Sequence, residues 1–266
     1  MLIGTNWMLG YSHTSASADE MIRRRYDSAE AFKPVLGTYL RHGVDSIMAP
    51  LGNSPDLVRA LDETEQKLGR EIIRIDTPYL NMDDTPQGRK EAEDEVKASA
   101  RRGARFCLIH HSCAEQLVNK NLGQICRLDD YTKMIRDAGL IPGLSAHMPE
   151  LVVYSDKNGY DVETYIQIFN CMGFLMQAEN EAVASIIQNA KKPVMTIKSM
   201  AAGRCSPYVG LTFSWNAIRE QDMVTVGAFS PQEAEEDIEI SLAAIEHRFP
   251  DMEKRASPVQ NQAVFG

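Results

Sequence analysis

The chain has 266 residues, of which 44% are hydrophobic, and this suits one large domain with a sizeable core. Its net charge of −9 excludes the basic surface that nucleic acid requires. It contains no run of about 18 apolar residues and begins without a basic leader, so we expect no membrane partner. Five scattered cysteines without a CxxC pair favour a reducing, cytoplasmic location.

Short apolar runs alternate with longer amphipathic runs along the whole chain. Strands are predicted at residues 2–9, 46–50, 71–77, 105–110, 140–146, 164–170, 194–198 and 223–227. Helices are predicted at residues 28–42, 54–68, 87–101, 128–138, 148–154, 180–190, 206–219 and 231–248. Eight such units predict an α/β protein with a single (β/α)8 TIM barrel at residues 1–255 and a C-terminal tail at 256–266.

Four of the six histidines fall where a predicted strand gives way to a loop. They are His13, His110, His111 and His147. Residues at the carboxyl ends of barrel strands form the active site, and imidazole suits both proton transfer and metal ligation. We therefore predict catalytic roles for His110 and His111 and substrate binding by His13. Strand alternation would direct His111 away from His110, unless the chain turns back at the loop.

Further candidates have charged or amide side chains. Alternation places Arg74 and Asp76 on one side of the third strand, where two charges need a reason to be present. Lys198 is a predicted catalytic residue, either as a stabilising charge or as an amine activated by burial. Arg74, Asn170 and Arg204 are predicted to bind substrate.

The ends of three successive strands carry a carboxylate and two imidazoles. Asp76, His110 and His147 are the predicted ligands of a divalent metal ion, with zinc, manganese and iron as the options. The spacing between them is long, so their convergence depends on the predicted barrel.

Four segments in the second half of the chain resemble motifs of the aldo-keto reductase superfamily. Residues 108–110 read LIH, as at the end of that family's fourth strand, and residues 138–147 read AGLIPGLSAH. Residues 198–204 read KSMAAGR, and residues 224–227 read VTVG. The order and spacing of these segments resemble the family's, and the resemblance implies an aldo-keto-reductase-like barrel.

The first half of the chain departs from the family where its chemistry resides. The resemblance places the catalytic aspartate at Met48 and the proton-donating tyrosine near Leu51, and the third strand lacks the family's lysine. Of that catalytic set, only His110 is present. The last predicted helix begins with an acidic run at residues 233–239, which disfavours a phosphate group. We therefore expect NADPH to bind weakly or not at all.

Three functions are compatible with these residues. The preferred one is a non-redox enzyme, namely a lyase, isomerase or epimerase, that acts on a small polar metabolite such as a sugar or keto acid. His110 would be its acid or base, and a metal ion would assist. The alternatives are a divergent NADPH-dependent oxidoreductase and a catalytically inactive barrel that binds a metabolite or partner. The sequence leaves a homo-oligomer open.

Overall fold

Eight parallel strands form a closed barrel in this computed structural model, which describes residues 1–251. The predicted tail at 256–266 lies outside the described residues. The strands are β1 (Leu2–Gly4), β2 (Ser46–Ala49), β3 (Ile73–Asp76), β4 (Ala104–Ile109), β5 (Ile141–Ala146), β6 (Tyr165–Ile168), β7 (Val194–Ile197) and β8 (Met223–Val226). Each strand pairs with its neighbours in the chain, and β1 closes the barrel against β8. The predicted (β/α)8 fold is confirmed.

An outer ring of eight helices covers the barrel, and each helix follows one strand. They are α1 (Ala29–Arg41), α2 (Pro55–Leu68), α3 (Pro86–Arg101), α4 (Leu128–Asp137), α5 (Glu150–Asn158), α6 (Asn180–Asn189), α7 (Pro207–Ala217) and α8 (Pro231–Ile245). Four of them begin with proline at the first turn and a capping side chain before it. The capping residues are Ser54, Thr85, Ser206 and Ser230.

Two apolar layers hold the barrel together. Inside it, one residue from each of six strands packs in a small cluster, formed by Leu2, Met48, Ile75, Leu108, Ile166 and Met195. Larger clusters fill the space between the strands and the outer helices. Both faces of the strands are therefore buried, as is usual for parallel sheets.

The first strand is shorter than its apolar pattern predicts. It ends at Gly4, and a helical turn (Asn6–Leu9) and a further helix (Ala16–Arg25) precede α1. Ser15 caps this further helix, because its side chain accepts a hydrogen bond from the Ala18 N–H. Ile22 fixes it to the core, with no exposed surface. This inserted segment brings the loop with His13 over the carboxyl end of the barrel.

Candidate active site

A cavity of about 650 Å³ lies at the carboxyl ends of the strands. It is large enough for a metabolite-sized ligand, because ligand pockets commonly range from about 300 to 1,000 Å³. Six of the residues predicted from the sequence to form a site line it, and these are His13, His110, His111, His147, Lys198 and Arg204.

His110 follows the last residue of β4 and is held in one orientation by the next residues of the chain. Its Nδ1 accepts from the Ser112 N–H at 3.3 Å and lies 2.8 Å from the Ser112 hydroxyl. The neutral ring therefore carries its proton on Nε2. Burial lowers the pKa of His110 to about 4, helped by the nearby His111 and Lys198. The ring is thus a neutral hydrogen-bond donor at physiological pH.

Aromatic rings form a column along one wall of the cavity. His111 stacks on His147 with ring centroids 3.5 Å apart, and His110 lies 4.3 Å from His111 on the other side. Tyr79 extends the column, 4.1 Å from His110. Burial, followed by the charges of neighbouring groups, lowers the pKa of His147 to about 3. The column is therefore uncharged at neutral pH.

A single carboxylate fixes the end of this column. Oε1 of Glu115 accepts from the backbone N–H groups of His147 and Met148, at 2.8 and 2.9 Å. The same oxygen lies 4.0 Å from Nδ1 of His111. His111 begins a short helical turn after β4, so the chain does turn back and brings its ring to the cavity.

The amine of Lys198 lies in the same cavity as the aromatic column. Its Nζ is 3.0 Å from Nε2 of His13, which is on the loop after the first helical turn. Burial lowers the pKa of Lys198 to about 8, and burial also lowers the pKa of His13, with a contribution from the lysine charge. Lys198 has a φ of +63°, a left-handed conformation that is uncommon outside glycine and asparagine. Such conformations concentrate at functional sites.

Arg204 provides a second cation beside this pair. Its Nη2 donates to the backbone oxygen of His13 at 3.3 Å, and Nη1 donates to that of Ala201 at 3.1 Å. The guanidinium carbon lies 3.9 Å from the centre of the Phe174 ring. The contacts to His13 and Phe174 hold the guanidinium beside the loop that carries the lysine's partner.

Acidic side chains line the cavity on the side of α8. Glu233, Glu236 and Asp237 belong to the first half of that helix. Glu233 accepts from the Phe229 N–H at 2.8 Å and so helps to cap the start of the helix. The cavity therefore has cations and neutral imidazoles along β4, β5 and β7, and carboxylates beside α8.

Arg74 and Asp76 do share one side of β3, but that side faces the outer helices. Asp76 has no exposed surface, accepts from the Leu51 N–H at 2.9 Å and contacts Arg102 at 3.1 Å. Arg74 pairs with Glu65 on α2. Neither side chain lines the cavity, so the structure does not bring Arg74 to a substrate there or Asp76 to a metal ion there.

The predicted metal trio is not assembled, because His110 and His147 line the cavity whereas Asp76 lies outside the barrel wall. Within residues 1–251, no group of three His, Cys, Asp or Glu side chains is arranged to hold a metal ion.

Asn170 has a structural position instead of the predicted contact with substrate. It is fully buried after β6, and its side chain accepts from the Phe174 N–H at 2.9 Å and donates to the Phe174 oxygen at 3.0 Å. These bonds fix the loop that carries Phe174 beneath Arg204. Asn170 therefore acts on the cavity only through this loop.

The resemblance to the reductases places their catalytic aspartate and tyrosine at two apolar residues of this chain. Met48 lines the cavity, and Leu51 is buried behind it with 1% of its surface exposed. Neither side chain can donate a proton.

Three residues of the site were missed by sequence reasoning. Tyr79 extends the aromatic column, Ser112 orients His110, and Glu115 supports His147. Ser112 and Glu115 lie directly after the His110–His111 pair, so their proximity in the chain was an available signal. Tyr79 lies in a polar loop without a distinguishing pattern.

The closed barrel is similar to structures of aldo-keto reductases. A proposed aldo-keto reductase from Pseudomonas aeruginosa is 11% identical, with a TM-score of 0.63, over 92% of this chain and 90% of the other. Aldose reductase from Giardia lamblia is 13% identical, with a TM-score of 0.55, over 84% and 85% of the two chains. The chain thus has the same (β/α)8 barrel fold as these reductases.

A non-redox enzyme has the same general architecture. Orotidine 5′-monophosphate decarboxylase from Methanocaldococcus jannaschii is 15% identical, with a TM-score of 0.51, over 93% of this chain and 95% of the other. A scan of protein families and a search of curated proteins gave no match. At such identities the likeness defines the fold alone, since one barrel supports many chemistries.

No helix in residues 1–251 combines the length and apolar character that a membrane span requires.

Proposed function

We propose that this protein is a non-redox enzyme, a lyase, isomerase or epimerase, acting on a small polar carbonyl compound such as a sugar or keto acid. The observation that carries the proposal is the half-buried amine of Lys198, 3.0 Å from His13, in one cavity with the neutral His110. Many reactions of these classes on carbonyl compounds move a proton at a carbon beside the carbonyl. They need a donor for the oxygen and a base for the carbon.

The cavity contains a candidate for each of these tasks. His110 offers a neutral N–H at Nε2, which would stabilise the developing oxyanion. Lys198 would add a positive charge at the same oxygen, and Nε2 of His13 would accept the proton from carbon. His111, between His110 and His147, would orient the donor through the stacked column.

Proton exchange into simple carbonyl compounds tests this proposal, because the exchange needs only a proton beside a carbonyl group. Pyruvate, dihydroxyacetone and glyceraldehyde would be incubated with the protein in D2O, and loss of the proton beside the carbonyl would be followed by NMR. We expect catalysed exchange with at least one probe and a loss of about a hundredfold in His110→Gln. The matched control His247→Gln, at an exposed position, should keep the wild-type rate.

Two outcomes would contradict the proposal. Equal exchange rates in the wild type and in His110→Gln would remove His110 from the chemistry. No exchange with any probe would favour the inactive barrel that binds a metabolite.

Weak or absent binding of NADPH is part of the proposal. Apolar side chains at Met48 and Leu51 and the acidic start of α8 support it. We expect no change in NADPH fluorescence on titration up to concentrations well above micromolar. A Kd of about 1 μM, or roughly −8 kcal/mol, would instead support the oxidoreductase alternative. A divalent metal ion stays a prediction, for which elemental analysis of the purified protein is the test.

A further inference from the structure

Lys198 differs from the other lysines of the described chain in its surroundings. Lys120, Lys133 and Lys192, for example, each contact a surface carboxylate, and such pairs keep an amine protonated. The described partner of Lys198 is instead an imidazole, which accepts a proton from the ammonium or donates one to the free amine.

We infer that Lys198 is a nucleophile which forms a covalent imine with the carbonyl carbon of a small 2-oxo acid. The inference rests on the proposed function and changes the role of Lys198 from that of a stabilising charge to that of a reacting group. It stands on the geometry of the amine, its imidazole partner and the adjoining guanidinium within one cavity.

The first half of the reaction uses His13 as a base. The Lys198 ammonium transfers a proton to Nε2 of His13, across the 3.0 Å contact, and the free amine attacks the carbonyl carbon. A C–N bond forms, the carbonyl π bond breaks, and the oxygen and nitrogen exchange a proton to give a neutral carbinolamine. A desolvated amine gives up its proton more readily, and the lowered pKa of Lys198 agrees with this step.

The second half of the reaction reverses the role of His13. Its imidazolium returns the proton to the carbinolamine hydroxyl, the C–O bond breaks, and water leaves as the protonated C=N bond forms. In sum, one ammonium and one ketone yield one iminium ion and one water, without an oxidant or reductant. The iminium ion then attracts electrons from the neighbouring carbon, as a lyase or isomerase requires.

The preference for a 2-oxo acid comes from Arg204. Its guanidinium donates to the backbone oxygen of His13, the residue that also contacts Lys198. A carboxylate on the carbon next to the carbonyl would meet this guanidinium while the carbonyl meets the amine. The carboxylates beside α8 disfavour a second anionic group on their side of the cavity.

Reductive trapping tests the covalent step. The full-length protein would be treated with pyruvate and sodium cyanoborohydride, and the modified lysines would be located by peptide mass spectrometry. We expect the reduced adduct on Lys198 at least tenfold more often than on Lys192. Lys198→Arg should remove this adduct with an unchanged circular dichroism spectrum, whereas the matched control Lys192→Arg should keep it.

Two further variants test the partners of Lys198. His13→Gln should slow trapping about a hundredfold, since it removes the proton acceptor. Arg204→Gln should lower trapping by pyruvate about tenfold more than it lowers trapping by the neutral ketone acetone. Equal losses with both ketones would overturn the 2-oxo acid assignment.

The covalent inference and the proposed function fail in different ways. If pyruvate exchanges its protons in D2O but labels Lys198 no more than Lys192, the inference is overturned and the proposed function stands. If the protein neither exchanges any probe nor becomes labelled, both are overturned.

Discussion

At the scale of single residues, we expect the carboxylate of Asp76 to stabilise the fold. It is fully buried outside the barrel wall and is bound by the Leu51 N–H and by Arg102. Asp76→Ala would leave both donors without this acceptor, so we expect a loss of about 3 kcal/mol in the free energy of unfolding. Urea denaturation would measure it.

The matched control for Asp76→Ala is Asp137→Ala. Asp137 pairs with Lys133 at the surface, where ion pairs contribute little. If both variants lose the same small amount of stability, the buried pair does not hold β3 as described.

The histidine column makes stability depend on pH. The pKa of His147 in the folded protein is about 3 and that of His110 about 4, both below the ordinary value of 6.5. At a pH between the folded and the ordinary pKa, the unfolded chain binds protons that the folded chain does not. The free energy of unfolding is therefore highest above pH 6.5 and decreases as the pH falls below that value. We expect Tm to decrease from about pH 6.5 to pH 4, and less steeply in His147→Gln.

Exposed His42 supplies the control for this experiment, since His42→Gln should leave the slope of Tm against pH as in the wild type. A His147→Gln slope equal to that of the wild type would contradict the neutral, desolvated state of His147.

The sequence showed which residues could form a site better than it showed which way their side chains point. Alternation correctly placed Arg74 and Asp76 on one side of β3, but both faces of a barrel strand are buried, so the pattern could not say which side. His110 and Lys198 come after their strands end, where direction depends on loop conformation. The 3.0 Å contact between Lys198 and His13 joins residues far apart in the chain and has no sequence signal.

At the scale of elements, the helix boundaries followed from local chemistry. The helix predicted at 54–68 begins at Pro55, and the Ser54 side chain before it accepts from the Leu57 N–H. The helix at Ala16–Arg25 was missed because only Ile22 is buried in it, so its apolar periodicity is weak. The first strand was predicted too long because the mainly apolar segment at 2–9 does not distinguish a strand from a strand followed by a helical turn.

A pair of serines tests the contribution of capping. Ser54 caps α2 with its side chain, whereas Ser28 precedes α1 without a side-chain bond. We expect Ser54→Ala to lower the free energy of unfolding by about 1 kcal/mol and Ser28→Ala to change it much less. Urea denaturation of the two variants would compare them, and equal losses would contradict the capping role of Ser54.

At the scale of the whole molecule, the alternation of apolar and amphipathic segments was sufficient to predict the barrel. All eight predicted strands and all eight predicted helices have a counterpart in the structure. A helix after each strand predicts parallel pairing, because consecutive parallel strands need a crossover connection between them. A homo-oligomer stays a prediction, which sedimentation velocity would test.

Closure of the barrel depends on two glycines. A Cβ atom at Gly4 would lie 3.0 Å from the backbone nitrogen of Gly227, closer than side chains ordinarily approach. Gly4→Ala should therefore push β1 from β8 and lower the free energy of unfolding by about 1–3 kcal/mol. Thermal unfolding would measure it.

A third glycine provides a control for this test, because we expect its substitution to raise the free energy of unfolding instead of lowering it. Gly37→Ala, within α1, meets only the end of the Arg41 side chain, at 3.7 Å, and should stabilise the protein by about 0.5–1 kcal/mol. If Gly4→Ala is also stabilising, the closure is looser than the structure indicates.

The outward direction of Arg74 and Asp76 has a consequence for the evolution of the protein. These buried ion pairs join strands to helices, behind the wall that encloses the cavity. Substitutions among the cavity side chains therefore leave them intact, and the loops could acquire a new specificity at small cost to folding. This separation makes the barrel a favourable scaffold for directed evolution, with libraries confined to the mouth and the β3 pairs left unchanged.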